Sequence, residues 1–244
     1  MNASVMELAQ VPSASLAAQD ELVGKLMQAC RRKSLDAIQE VHPSRLHEVL
    51  EQVGLGAAWR GELETPAGQA LVRHALSLHW PGLEAFAALH WRLALLPRRV
   101  LCQALAAIGL HADRARVRLT LSGTVRSALV SAVSERVYLL MLRERAPHRA
   151  GSGALSEAEA QADTLARKGL GVLVGAAAAG APDVLNPWIR SALPAAATQP
   201  TLLSPAPGEI TALADFHILS HYFPEYQWLF GSALEKTLSA AKTV

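Results

Sequence analysis

A chain of 244 residues, 51% hydrophobic and 18% charged, has room for one large or two small domains and is too apolar to be disordered. Its net charge of +2 sets up no global field that would draw the whole molecule onto nucleic acid or an anionic membrane. Two cysteines, Cys30 and Cys102, imply no disulfide framework, and the opening MNASVMELAQVPSASLAAQ lacks the basic start and apolar run of a secretory signal.

The apolar residues are mainly Ala and Leu, which favour helix, while β-branched and aromatic residues are sparse. The expectation is an all-α fold, an irregular bundle of roughly nine short to medium helices with a C-terminal helical pair. Proline supplies the boundaries, since it suits a first helical turn and stops a preceding helix. The first predicted helix runs from about Ser15 to Arg32, with Leu22, Leu26, Met27 and Cys30 on one apolar face. His42-Pro43-Ser44 starts a second.

After a loop holding Gly54, Gly56 and Gly61, Thr65-Pro66 caps a helix expected to end near Trp80-Pro81, and another is expected from Pro81 to Leu96. Pro97 opens the next, with Val100, Leu101, Ala104, Leu105 and Ile108 on one stripe and Gly109 as its C-terminal stop. Asp113 can cap a short helix to about Leu121. A long helix from Thr124 to Arg145 carries Val125, Leu129, Ala132, Val133, Val137 and Leu140 on its buried side.

Pro147 to Ala154, PHRAGSGA, reads as a connector, and Ser156 with Glu159 forms a capping box for a helix towards Ala179. Within that helix the run Leu170 to Gly180 is about half the ~20 residues of a membrane span and reads as a buried segment. Its glycines, with Gly169, suit close helix packing better than a phosphate loop. Pro187 to Leu193 forms a short helix.

The Pro-rich stretch 194–208 is the best boundary, separating a helical core domain, 1–193, from a C-terminal pair, 209–244, expected to dock back through Phe216, Leu219, Phe223, Trp228, Leu229 and Leu234.

Charge is unevenly placed. From Leu89 to Arg149 there are eleven arginines (Arg92, Arg98, Arg99, Arg114, Arg116, Arg118, Arg126, Arg136, Arg143, Arg145, Arg149) against Asp113, Glu135 and Glu144, a local balance of +8 that leaves the rest at −6. Such a segment can complement the acidic remainder within the molecule, meet an acidic partner protein, or bind phosphate. The use of Arg without Lys favours bidentate carboxylate recognition, a geometry that also serves phosphate. Arg114 and Arg118 share a helical face and Arg116 points away. Arg136 falls within an apolar stripe, where its stem can lie on the core.

Catalytic and metal chemistry find little footing. His217 and His221 have the spacing of a two-histidine metal site, but Ile218 stands where an HExxH motif needs glutamate, so an ordinary histidine pair is the expectation. The other histidines lack metal spacing or a nucleophile beside them. No enzyme activity, cofactor, metal or small-molecule substrate is implied. Leu101 to Leu121 has the outline of a helix, a glycine turn and an arginine-bearing helix, which keeps a nucleic-acid-binding regulator as the alternative, although the second helix lacks the Asn or Gln that reads adenine.

The run Arg92 to Val133, RLALLPRRVLCQALAAIGLHADRARVRLTLSGTVRSALVSAV, resembles the core of the SctK/YscK family of type III secretion proteins, including its Hrp-type members from plant-associated bacteria. The RLALLP helix start, the leucine-rich helix ending in Gly-Leu and the arginines around Val117 carry the likeness, with His42-Pro43-Ser44, Leu165 to Leu173 and Trp188 to Pro194 as further echoes. It covers residues 40–194; the region after Pro194 departs from it. The resemblance implies a non-enzymatic adaptor in the cytoplasm, at the cytoplasmic face of the inner-membrane secretion apparatus. Such a protein bridges the cytoplasmic domain of the inner-membrane ring and the pod proteins of the sorting platform, touching the membrane through partners only. Arg98, Arg99, Arg114 and Arg118 are then the candidate contacts with an acidic partner.

Overall fold

The computed structural model describes residues 13–144, 153–178, 186–194 and 217–231, together with 234 and 237. Among them the protein is all-α: thirteen α-helical segments, several short 3-10 turns and no strand.

Helix α1 (Ser13–Leu35) buries Leu26 and Cys30, one turn apart, and the same face continues to the buried Lys33. Met27, expected on that face, stands 54% exposed, because the helical period turns it roughly 100° from Leu26. After the single turn of α2 (Ala37–Glu40), α3 (Pro43–Gln52) opens on His42, whose Nδ1 accepts the Ser44 N–H at 3.1 Å. A 3-10 stretch over Ala57–Glu64 leads to α4 (Pro66–Ala75), capped by the Thr65 hydroxyl accepting from Gly68 N–H at 3.1 Å.

Helix α4 ends at Ala75 rather than near Trp80. Ser77 takes φ +54 and the Leu78 N–H returns to the Arg73 carbonyl at 2.7 Å, closing the helix end on itself while Leu78 is buried. The single helix expected over Pro81 to Leu96 is likewise two pieces, a 3-10 stretch at Leu83–Ala87 and α5 (Leu89–Ala94), parted at extended Ala88. Arg92 supports the break. Fully buried, it sends Nε to the Phe86 carbonyl at 2.7 Å and Nη2 to that of Ala87 at 3.2 Å, oxygens that a continuous helix would have satisfied.

Helix α6 (Arg98–Ala112) is the centre of the molecule, with Leu101, Ala104, Leu105, Ala106, Ala107 and Leu110 all sealed from water. Each such leucine contributes roughly 2 kcal/mol of transfer free energy. Gly109 does not stop α6; the helix runs through it, because the missing side chain lets α10 (Ala162–Ala178) cross there. Gly169 is its counterpart on α10, whereas Gly171 faces open space.

Beyond α6 come α7 (Arg114–Leu119), α8 (Gly123–Val133) and α9 (Glu135–Arg143). The long helix expected from Thr124 to Arg145 is broken at Ser134, whose φ of +80 turns the chain and whose hydroxyl accepts Val137 N–H at 3.4 Å to start α9. Its predicted stripe is still inward: Val125, Leu129, Ala132, Val133 and Val137 are buried and Leu140 half-buried. Ser156 and Glu159 do form reciprocal bonds, Ser156 N–H to Glu159 at 2.8 Å and Glu159 N–H to the Ser156 hydroxyl at 3.3 Å, but they close a turn ahead of α10 rather than its first turn.

Helix α11 (Pro187–Ala192) is capped by Asn186, which accepts Trp188 N–H at 2.9 Å. At the C-terminal end, α12 (His217–Tyr222), a 3-10 turn and α13 (Gln227–Phe230) place Leu219, Tyr222, Phe223, Leu229, Phe230 and Leu234 in the same continuous core as α6, with Trp228 half-buried against it. Phe216 and the Pro-rich residues 195–208 lie outside the described residues, as do 147–152 of the expected connector.

Candidate protein-binding surface

The arginines of the basic segment divide into those turned inward and those facing water. Arg98 belongs to the first group. Its backbone N–H, in the opening turn of α6, donates to Glu40 Oε2 at 2.8 Å, and its Nε donates to the Ala192 carbonyl at 3.1 Å, tying α2, α6 and α11 together. Arg99, the next residue, is exposed. Helix α6 then carries the chain about 20 Å, at 1.5 Å per residue, before the next arginines appear. Arg98 and Arg99 therefore occupy a different part of the surface from α7.

On α7 the expected facing is realised. Arg116 turns inward and grips Glu159 with both terminal nitrogens, at 2.8 and 3.0 Å, while also meeting the carbonyls of Gly153 and Ala154. This fork holds the Glu159 carboxyl down at about 2, with the Ser156 backbone adding to the effect. Arg114 is half-buried and donates to the His111 carbonyl at 2.9 Å; Arg118 is exposed. Asp113, expected to cap α7, makes no capping bond and pairs instead with Lys168 of α10 and, at 3.8 Å, with Arg116. Arg126 donates to the Tyr138 hydroxyl at 3.1 Å and Arg136 reaches the His221 carbonyl at 3.5 Å, both from exposed positions. Arg145 and Arg149 lie outside the described residues.

The turn from α7 to α8 inverts the usual order of burial. Thr120 is 2% exposed, whereas its neighbours Leu119 and Leu121 stand 54% and 84% exposed. The Thr120 hydroxyl donates to the Arg116 carbonyl at 2.9 Å and accepts the Leu155 N–H at 3.1 Å, so the threonine is clamped inward and the leucines are held out. Sequence reasoning extended the helix to about Leu121 and passed over this feature. A Leu-Thr-Leu alternation ordinarily reads as leucines in and threonine out, and only the bond from Leu155, distant in sequence, reverses it.

Two interior polar clusters hold the helices in register. Lys33, whose pKa is lowered by burial against the opposing pull of Glu40, pairs with Glu40 at 3.0 Å, donates to the Leu96 carbonyl and lies 5.9 Å from the Trp188 ring centre. Trp188 stacks on Trp80 at 4.7 Å, and Trp80 Nε1 donates to the Ser34 hydroxyl at 2.8 Å. Beside Lys33 a cleft of about 280 Å³ opens between α1 and the 224–229 region, edged by Arg32, Asp36, Glu225 and Tyr226. Its ionisable groups are of mixed sign, and the one at its base, Lys33, is already matched by Glu40.

At the other end of α6, the Tyr222 hydroxyl donates to Glu144 Oε1 at 2.8 Å while His111 Nδ1 lies 3.2 Å from the same hydroxyl oxygen. Burial, then the Arg114 charge, pushes His111 down to about 4. Glu144 lies 3.4 Å from the ring and would favour the cation, but its carboxylate is already engaged by Tyr222.

Among the described residues no group of three or more His, Cys, Asp and Glu side chains could hold a metal. His221 is exposed and the His217 side chain lies outside the described residues. Nor is the helix, glycine turn and helix outline built: Gly109 is inside α6, and Asp113 alone separates α6 from α7, itself six residues long. A six-residue helix set directly against its predecessor lacks the three- or four-residue turn that a recognition helix needs.

These features define an all-α scaffold whose interior charges are spent on joining helices and whose outward arginines and leucines face solvent. No helix among the described residues is long and apolar enough to cross a membrane. The pattern of the family described as bacterial type III secretion protein (HrpB4) matches residues 17–225, and the chain belongs to that family. The match is consistent with the Hrp-type resemblance seen in the sequence and corrects its limits, since it begins within α1 and runs past Pro194 through α12. No curated protein and no solved structure matches the chain.

Proposed function

We propose that the protein is a non-enzymatic adaptor of the type III secretion system, working in the cytoplasm at the face of the inner membrane. It links the cytoplasmic domain of the inner-membrane ring to the pod proteins of the sorting platform by protein–protein contacts. Family membership over residues 17–225 is the observation that carries this reading. It is supported by the disposition of charge: Arg116 is matched within the molecule, while Arg99 and Arg118 are left to solvent.

Arg98, Arg99, Arg114 and Arg118 remain the candidate partner contacts, and their placement divides them into two stations at opposite ends of α6. An adaptor with two partners has use for two such stations. Arg99 and Arg118 are the stronger members, because Arg98 and Arg114 each already serve a backbone carbonyl. In this reading residues 1–193 are the core domain and 209–244 a C-terminal pair; among the described residues of the latter, the Tyr222 bond to Glu144 supports docking on the core.

The test is co-purification of the full chain with the ring protein's cytoplasmic domain and with the pod protein of its own secretion system, alongside secretion assays after deletion of the gene. The expected result is a stable complex and lost secretion. A free monomer with secretion intact overturns the proposal.

A further inference from the structure

We infer that the α7–α8 corner is a preformed docking knob, in which Leu119 and Leu121 enter an apolar groove of a protein partner while Arg118 meets carboxylates on its rim. This deepens the adaptor reading and rests on it.

Three observations carry the inference. First, the two leucines are held outward against their own hydrophobicity: the buried Thr120 between them is bonded to Arg116 and Leu155, so the turn cannot roll over to hide them without breaking both bonds. Exposed leucines on a turn pinned from beneath cost little ordering entropy when they bind, which is what preorganisation contributes to an interface. Second, the pin is itself braced. Arg116 clasps Glu159 and the carbonyls of Gly153 and Ala154, the segment whose Leu155 N–H holds Thr120.

Third, the surrounding charge has one sign. Residues 114–134 contain four arginines and no carboxylate or lysine. Arg116 is neutralised by Glu159, whereas Arg118 adjoins Leu119 and faces solvent. An apolar centre beside a guanidinium that meets no carboxylate among the described residues fits a partner surface with an apolar floor and an acidic rim.

A protein is favoured over a membrane as occupant. Interfacial anchors present an apolar helical stripe with aromatic residues and lysines, whereas here two leucines stand on a turn with no lysine or aromatic beside them.

The experiment uses the full chain against the ring protein's cytoplasmic domain and the pod protein, with binding read by calorimetry. The double variant Leu119→Ser/Leu121→Ser should keep the wild-type melting temperature, since both side chains are exposed, and should weaken one of the two partners by about tenfold or more. Arg118→Glu should weaken the same partner. Leu139→Ser, at another exposed leucine on α9, should bind as wild type does.

A photo-crosslinking residue at position 121 should capture that partner in cells. Equal binding by the double variant and wild type overturns the knob while leaving the adaptor reading in place. Crosslinks only to lipid, with binding to phosphatidylcholine–phosphatidylglycerol vesicles lost in the double variant, overturn it in favour of a membrane contact. Crosslinks only to a second copy overturn it in favour of self-association. Wild-type chain that binds neither secretion component overturns both readings together.

Discussion

Gly109 of α6 and Gly169 of α10 lie against each other where the two helices cross: a Cβ added at 109 would sit 2.8 Å from the Gly169 nitrogen, and one added at 169 would sit 3.0 Å from the Gly109 nitrogen. Backbone meets backbone at this point, and neither helix has a flexible side chain that could yield. The crossing sets how α10 packs on the most buried helix of the core.

Gly169→Ala or Gly109→Ala should therefore destabilise the protein by about 2 kcal/mol, despite the ~1 kcal/mol that Ala gains over Gly in helix propensity. Gly171→Ala, in open space on the same helix, should be neutral or slightly stabilising. Thermal unfolding should show the first two variants lowered by roughly 5 °C and the third unchanged.

Lys33→Met leaves the Glu40 carboxylate partly stranded in the interior and removes the donor to the Leu96 carbonyl. A loss of about 3 kcal/mol is expected, as for one partner taken from a buried pair. The double variant Lys33→Met/Glu40→Leu should recover most of it, because no lone charge remains, but not all, since the Arg98 N–H loses its acceptor. Urea unfolding midpoints of the two variants check the order.

His111 gives stability a specific pH dependence. Unfolded, it takes up a proton near its ordinary 6.5; folded, only near about 4. The unfolded chain thus binds more protons within that window, so the contribution is whole above pH 6.5 and is lost as pH falls towards 4. The loss is on the order of 3 kcal/mol. Urea midpoints of the wild type and His111→Asn should converge as the pH is lowered through this range; parallel curves would count against it.

Arg116→Lys keeps the charge but loses the fork that holds Glu159 and the 153–154 carbonyls. Because Glu159 is partly exposed, global stability should fall by less than about 1 kcal/mol. Hydrogen exchange at the Leu155 amide, which bonds to Thr120, should accelerate markedly, while that of α6 should not.

Helix starts were the most legible features, and the reason is local. His42-Pro43-Ser44 and Thr65-Pro66 each set a cap and a first turn within a few residues, and both helices begin there. Helix ends and breaks were less legible. Ala88 is extended because Arg92 can take the freed carbonyls from within the core, and Ser134 turns the chain where periodicity continued unbroken. Gly109 reads as a stop in isolation, since only the presence of α10 shows that the space beside it is filled.

The sequence alone determined the all-α class, the inward stripes of α6 and α8, the placing of Arg116 on the opposite face of α7 from Arg118, and the secretion-family resemblance, because helix propensity and a 3.6-residue period act over a few neighbouring residues. Tertiary structure decided which arginine met a carboxylate, where two glycines let backbones touch, and that Leu119 and Leu121 stand in water around a buried Thr120. Each of these depends on a partner group tens of residues away, Leu155 on Thr120, Glu159 on Arg116, Gly169 on Gly109, and no local pattern encodes which distant group will arrive.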